Sequence, residues 1–172
     1  MTLVTTPGSA SADSYASLAQ ALAYHAARGN AAWVEADDTA REPALRRGTA
    51  WLEATYRARW PGYRGNGRAQ ALDWPRYGVT DLDGWVVDPV SVPVEVINAT
   101  CEAALRELSA PGSLSPDYVA SEQVASTTAG PVSVTFRATG GVGAVLPILT
   151  VVDGILSRII GGSRNIKFLL RS

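Results

Sequence analysis

Apolar residues recur at intervals of three and four in several stretches of this 172-residue chain, and this spacing constrains the fold more than any other feature. Such intervals place side chains on one face of an α-helix, which must pack against another element. Ser17 and Gln20 have the spacing of a capping box at the start of the first stretch. We predict a helix from near Ser17 to Gly29-Asn30. Its apolar face consists of Leu18, Ala21, Leu22 and His25.

Three further stretches have the same helical spacing. A short turn of helix at residues 31–36 precedes the first of them and is expected to carry Trp33 inward. Asp37, Asp38 and Thr39 are alternative caps for the helix that follows. Within that helix Gly48 predicts close packing against a neighbour, at a cost of ~1 kcal/mol relative to Ala. The three predicted helices span about residues 39–57, 92–108 and 146–160.

Residues 60–92 separate two of these helices, and helical spacing disappears there. The stretch is rich in Gly, Pro and Asp, yet it contains Trp60, Tyr63, Trp74, Tyr77 and Trp85. A connection this long is unusual in a compact domain, and disordered segments contain few aromatic residues. We therefore predict a long loop that is ordered by packing.

These segments predict a mainly α fold: a small helical bundle with a long aromatic loop, a short β strand or hairpin and an extended C-terminal tail. Residues 1–13 are small and polar, which indicates a flexible or partner-ordered N-terminal arm. The helical domain spans residues 14–162. It includes a strand or hairpin region at 113–145, where residues 131–138 alternate between apolar and polar. The tail is residues 163–172.

Residues that could carry catalysis are sparse. His25 and Cys101 are the only histidine and cysteine, which excludes a zinc site built on several imidazoles and an internal disulfide. Both fall in apolar helical patterns, so buried structural roles are favoured. Three acidic residues precede a predicted helix: Glu35, Asp37 and Asp38. Their position favours a role in helix capping over the binding of a cation. We predict no enzymatic activity, no cofactor and no metal.

Two glycine-containing loops resemble ligand motifs without the residues that those motifs need. Asp81-Leu82-Asp83-Gly84 begins like a calcium loop but lacks the third acidic position and the terminal glutamate, so a turn is predicted. Residues 140–143 are not followed by the Lys-Ser or Lys-Thr pair of a phosphate-binding loop, so a hinge is predicted. No apolar run reaches the length of about 18 residues that spans a membrane, and no membrane contact is expected.

The formal net charge is −1, with 15 basic and 16 acidic residues, so the whole chain has no field that attracts nucleic acid. Arginines nevertheless alternate with aromatic residues between positions 56 and 77, a pattern that can track a single strand. Arginine and aromatic residues also dominate protein interfaces, and the near-neutral charge favours that interpretation. The candidate interface residues are Arg64, Arg68, Trp74, Arg76, Tyr77 and Trp85.

The most specific motif is Gln70-Ala71-Leu72-Asp73-Trp74-Pro75-Arg76, because Trp-Pro-Arg is rare by chance. The same pattern extends to Ser14-Tyr15-Ala16-Ser17-Leu18, Ala27-Arg28-Gly29-Asn30, Asp83-Gly84, Asp88-Pro89 and Gly130-Pro131-Val132-Ser133-Val134. On these residues the chain resembles the head–tail connector proteins of tailed bacteriophages, also called adaptor or head-completion proteins. Some members are catalogued as DnaT-like single-strand-binding proteins. The resemblance covers about residues 13–160, and it implies a helical fold.

A structural role in the virion is what this resemblance implies. Its members form a homo-oligomeric ring, by implication of twelve subunits, beneath the portal protein, and they seat the tail or a neck (stopper) protein. Packaged DNA would pass through the ring. The implied location is the virion neck, at the head–tail interface, after assembly in the host cytoplasm. This sequence departs from the family pattern at Pro43, at Gly48 and after Gly162.

Two hypotheses follow for the binding surfaces. Within the motif, Trp74 and Pro75 are expected to lock the loop onto the bundle, while Arg76 is expected to meet a neighbouring subunit. The C-terminal tail is expected to dock on the portal through Arg164, Ile166, Lys167, Phe168, Leu169, Leu170 and Arg171. The alternative function is a single-stranded-DNA-binding protein of phage replication, with the arginine and aromatic loop as a stacking platform.

Overall fold

The computed structural model describes residues 2–116, 126–129, 132–135 and 147–161. Within them the chain is mainly α, as predicted. The helices are α1 (Leu18–Ala26), α2 (Ala31–Glu35), α3 (Asp38–Tyr56), α4 (Val94–Ser109) and α5 (Thr150–Ile160). The strands are β1 (Tyr63–Arg64), β2 (Arg76–Tyr77), β3 (Ser126–Ala129) and β4 (Val132–Thr135), and short 3-10 turns occupy Arg57–Arg59 and Gly67–Ala69.

The helix starts follow the local signals in the sequence. Ser17 and Gln20 form the predicted capping box, with both side chains bonded to backbone N–H groups. Of the three alternative caps of α3, Asp37 is the one used, and its carboxylate accepts from the amide of Ala40 at 2.9 Å. Because Asp37 caps, Thr39 lies inside the helix. α5 begins at Thr150, four residues later than predicted, since Leu149 is still extended (φ −93°, ψ 92°).

The bundle is built on the contact between α3 and α4, with α5 packed on α4. Gly48 permits this contact: a Cβ atom there would lie 2.8 Å from the backbone nitrogen of Ala104, as the predicted close packing requires. The core on one side of this contact includes Trp51, Leu52, Val96 and Leu156. The core on the other side includes Ala21, Trp33, Leu45 and Cys101.

His25 and Cys101 have the structural roles that the sequence indicates. His25 is fully buried, and its Nε2 lies 3.1 Å from the backbone oxygen of Cys101. Its Nδ1 lies 3.0 Å from Nδ2 of Asn30, and its ring packs against Trp33. Burial raises the pKa of the Cys101 thiol to about 12, so the thiol stays protonated and unreactive.

The long loop of residues 60–92 is ordered by packing, as predicted, and it also contains short paired strands. β1 and β2 are antiparallel, with Tyr63 opposite Tyr77 and Arg64 opposite Arg76. Residues 79–87 form a second hairpin, in which Thr80 is bridged to Val86. We call it the acidic hairpin. Trp60, Trp74 and Val79 hold the loop in the core.

Residues 2–13 contact the same chain and do not extend from it as the predicted arm. The amide of Val4 donates to Oδ1 of Asp13 at 2.8 Å, and Asp13 pairs with Arg46 at 2.7 Å. The carbonyl of Ser9 accepts from the amide of Ala71 at 3.0 Å. This segment therefore tethers the long loop.

The hairpin predicted within residues 113–145 is present where the chain is described. β3 and β4 are antiparallel, with Ser126 opposite Thr135 and Ala129 opposite Val132. The predicted hinge at 140–143 and the tail at 163–172, with its candidate residues Arg164 to Arg171, lie outside the described residues.

Candidate nucleic-acid interface

The motif of residues 70–76 is a structural clamp inside the long loop. Oε1 of Gln70 accepts from the amide of Asn66 at 2.8 Å. Its Nε2 donates to the carbonyl of Leu72 at 2.7 Å and to that of Pro75 at 3.2 Å. Gln70 is buried, and its one side chain satisfies three backbone groups of the loop.

The centre of the motif joins a buried polar network from two other parts of the chain. The hydroxyl of Tyr15 donates to the carboxylate of Glu53 and accepts from the amide of Trp74 at 3.2 Å. The amide of Asp73 donates to Glu53 at 3.1 Å. Burial raises the pKa of Glu53, and Arg57 at 3.1 Å offsets part of that cost. The network fixes the loop against α3.

Arg76 and Trp74, both among the predicted interface residues, are buried within the chain. Arg76 is 8% exposed, and its guanidinium donates to the carbonyls of Pro61 (2.6 Å), Gly62 (2.8 Å) and Asp73 (3.2 Å). Trp74 is buried edge-on against Trp60, as expected of a residue that locks the loop. A loop sequence does not distinguish an arginine that donates to backbone carbonyls from one that faces a partner. The burial of Arg76 could therefore not be predicted.

The surface formed by β1 and β2 carries two exposed aromatic rings. Tyr63 and Tyr77 face each other across the strand pair, stacked at 6.0 Å between ring centroids with 21° between their planes. Tyr63 is 66% exposed and Tyr77 is 40% exposed. We call this pair the tyrosine platform. Both rings are therefore accessible to solvent in part, Tyr63 more than Tyr77.

Arginines are frequent in the sequence around the tyrosine platform. Residues 57–76 contain five arginines and one acidic residue, Asp73. Arg68 is exposed, and Arg64 is half-buried with its Nη1 3.5 Å from the carbonyl of Gln70. Among the described residues no ion pair joins Arg64 or Arg68 to a carboxylate. Local positive charge therefore exists despite the net charge of −1.

An open groove of about 550 Å³ runs beside the platform. Arg57, Tyr63 and Arg64 line it, and the buried Asp73 and Arg76 form part of its wall. Arg57 is bonded to Asp73 at 3.1 Å, and this bond and the one to Glu53 raise the pKa of Arg57. The groove is thus polar, and two carboxylates hold the guanidinium of Arg57 in place.

Trp85 is not part of the platform and lies on the acidic hairpin. It is 75% exposed, and its neighbours in sequence carry the opposite charge: residues 79–90 contain Asp81, Asp83 and Asp88 and no basic residue. The predicted set of six interface residues therefore divides into Arg64, Arg68 and Tyr77 at the platform, Trp85 on the acidic hairpin, and two buried residues.

The described residues contain no cluster that could hold a metal ion. In the predicted capping group, Asp37 caps α3 and Asp38 pairs with Arg41 at 2.9 Å. In Asp81-Leu82-Asp83-Gly84, the carboxylate of Asp81 accepts from the amides of Asp83 and Trp85, which makes the predicted turn. Among the described helices none is long and apolar enough to cross a membrane.

Sequence reasoning omitted two residues from the candidate set. Tyr63 and Arg57 both belong to the alternating arginine and aromatic pattern, which does not by itself separate exposed members from buried ones. Pairing with Tyr77 places Tyr63 on the platform, and the contact with Asp73 places Arg57 beside the groove.

The described residues thus form a small helical domain that carries a basic and aromatic strand pair on its surface. Residues 1–171 match the model of a family described as "Putative DnaT-like ssDNA binding protein", and the chain belongs to that family. That description does not mention connectors. Comparison with curated proteins found no match, and comparison with solved structures found none.

Proposed function

We propose that this protein binds single-stranded DNA on the tyrosine platform. The observation that carries the proposal is the stacked, exposed pair of Tyr63 and Tyr77 beside Arg64 and Arg68. Bases of any sequence stack on aromatic rings, while arginines contact the phosphates between them. Family membership supports the same function.

The fold supplies the rigidity that such a platform needs. The strand carrying Tyr77 follows directly on the motif, whose carbonyls and amides are bonded to Gln70, Arg76 and the Tyr15–Glu53 pair. A platform fixed in advance loses little conformational entropy when a strand binds. The motif thus contributes to binding by holding the platform, and its own side chains need not touch DNA.

A titration of full-length protein with fluorescent oligo-dT across a series of salt concentrations tests the proposal. Binding should weaken with salt, with a slope of about −0.7 per neutralised phosphate for a single strand. Duplex DNA of the same sequence should bind more weakly, because its bases are already stacked on one another and cannot reach the rings. Equal binding of duplex and single strand would contradict the platform.

Two variants that each replace one exposed aromatic residue by alanine test whether DNA binding depends on the platform or on any exposed aromatic ring. Tyr63→Ala should weaken binding by about 1–3 kcal/mol, the contribution of one stacked base. Trp85→Ala removes a ring of similar exposure from the acidic hairpin and should leave binding unchanged. If both variants bind as the native protein does, or if Trp85→Ala has the larger effect, the site is wrongly assigned.

A second candidate function is assembly as a head–tail connector, and the exposed apolar residues of 82–94 favour it. Leu82, Trp85, Val86, Val90 and Val94 are each more than half exposed, and clusters of this kind are typical of protein interfaces. In this function, proposed from the resemblance, the protein forms a ring of twelve subunits in the virion neck, between the portal and the tail or stopper protein, and DNA passes through it.

The two candidate functions predict different locations for the protein. As a connector it is a component of purified virions at a fixed copy number, and its C-terminal tail docks on the portal. As a replication protein it is absent from virions and present with replicating DNA. Quantitative mass spectrometry of purified particles, with electron microscopy of the neck, distinguishes them. Absence from particles would eliminate the connector.

A further inference from the structure

The acidic hairpin presents an apolar surface that the domain itself leaves open. Leu82, Trp85 and Val86 are 54%, 75% and 77% exposed. They lie among Asp81, Asp83 and Asp88, and no basic residue occurs between 79 and 90. An apolar surface with neighbouring carboxylates, of which Asp83 is already paired with Arg158, is suited to a segment that is both apolar and basic.

The hairpin lies directly at the end of α5. The amide of Leu82 donates to the carbonyl of Arg158 at 3.0 Å, and Asp83 pairs with Arg158 at 3.3 Å. At Gly161 a Cβ atom would lie 2.9 Å from Cδ2 of Leu82. The chain therefore leaves the described domain while in contact with the apolar part of this surface.

The sequence that follows has the complementary chemistry. Residues 162–172 contain three basic residues, Arg164, Lys167 and Arg171, and no acidic one. Between them lie four apolar residues: Ile166, Phe168, Leu169 and Leu170. Eleven residues reach at most ~36–40 Å when extended, more than enough to cross a hairpin that begins beside Gly161.

We propose that the acidic hairpin is the docking site of this chain's own C-terminal segment in the free protein. The apolar residues of the segment cover Leu82, Trp85 and Val86, and its cations lie near Asp81 and Asp88. A short connection from Gly161 gives the segment a high effective concentration at this site, so the contact forms within one molecule. The proposal does not rest on DNA binding, since the platform and the hairpin are separate surfaces.

Tryptophan fluorescence tests whether the C-terminal segment covers Trp85, because the other four tryptophans (33, 51, 60 and 74) are buried. Trp85 should resist acrylamide quenching in the full chain. Reversing the tail charges with Arg164→Glu, Lys167→Glu and Arg171→Glu should release the segment, increase quenching and shift the emission to longer wavelength. If this triple variant and the native protein are quenched equally, the proposal is overturned.

Two controls tie the signal to the proposed contact. In a Trp85→Phe background the tail variant should cause no change in quenching, and a persisting change would mean that another tryptophan reports, which would overturn the assignment. Dilution should leave the protection of Trp85 intact. Protection that disappears on dilution would show that the segment comes from a second molecule, and the contact within one chain would be wrong.

Discussion

Arg76 shows how a single charged residue can organise a loop from inside it. Its guanidinium donates to three carbonyls contributed by residues 61, 62 and 73, on both sides of the strand pair. Burial lowers the pKa of Arg76 from its usual value and the nearby Asp73 opposes that shift, while the guanidinium remains charged. Arg76 therefore bridges separate parts of the loop from the inside.

We expect Arg76→Met to lower the free energy of unfolding by about 2–4 kcal/mol, because the change leaves three carbonyls without their donor. Arg68→Met removes an exposed arginine of the same loop and should change stability by no more than about 0.5 kcal/mol. Urea denaturation measures both. Similar stabilities for the two variants would mean that Arg76 does not hold the loop.

Glu107 plays a comparable part after α4. Its carboxylate accepts from the amides of Gly112 (2.7 Å) and Leu114 (3.0 Å) and from Arg47 (2.7 Å). Burial alone would raise the pKa of Glu107, but these three donors bond the ionised form and bring the pKa below its usual value. The turn that follows the helix thus depends on a charged carboxylate.

The sign of the pH dependence follows from this lowered pKa. Stability contributed by Glu107 is fully present above its unfolded pKa and is lost as pH falls through its folded pKa. Glu107→Gln should cost about 1.5–3 kcal/mol at neutral pH and should flatten the acid side of the stability profile. The exposed Glu35→Gln is the matched control. A native-like acid profile in Glu107→Gln would refute the assignment.

At the scale of elements, the contact between α3 and α4 depends on one residue without a side chain. Gly48 brings the two helix backbones together at Ala103 and Ala104. The helical position and the close packing of Gly48 were both predictable, since a glycine within an apolar helical pattern costs stability unless it serves packing. The identity of the neighbouring helix was not predictable, because helical spacing shows which face of a helix is apolar but not which other helix packs on that face.

We expect Gly48→Ala to be destabilising by about 1–3 kcal/mol, since its methyl group would overlap the α4 backbone. Gly154→Ala makes the same change in α5, where nothing lies within 4 Å. That variant should gain about 0.5–1 kcal/mol from helix propensity alone. Thermal unfolding of both compares them, and stabilisation by Gly48→Ala would mean that the helices can separate without cost.

For the whole molecule, the N-terminal segment couples distant parts of the chain. The carbonyl of Ser9 accepts from the amide of Ala71, and that of Gly8 accepts from Asn66 at 3.0 Å. Residues 2–13 thus support the loop that carries the tyrosine platform. The small and polar residues of this segment predict an arm. Composition does not reveal the hydrogen bonds that backbone groups make, so these contacts with the loop could not be predicted.

Deletion of residues 2–9 should therefore loosen the loop without unfolding the bundle. We expect hydrogen exchange at the Ala71 amide to accelerate, since its acceptor is removed, while the amide of Leu82, bonded to Arg158, keeps its protection. Exchange measured by NMR tests both amides at once. Unchanged protection at Ala71 would show that the segment does not hold the loop.

The sequence alone determined the helices, the capping box at Ser17, the buried roles of His25 and Trp33, and the existence of an ordered aromatic loop. These features depend on interactions within a few residues or on a period of 3.6, and both can be read locally. Tertiary structure decided which loop residues face outward. No sequence period links Tyr63 to Tyr77, or Arg76 to the carbonyls of residues 61, 62 and 73 that it bonds. The loop between the strands is held in place by bonds from its amides to the distant Tyr15 and Glu53, and these contacts exist only in the folded chain.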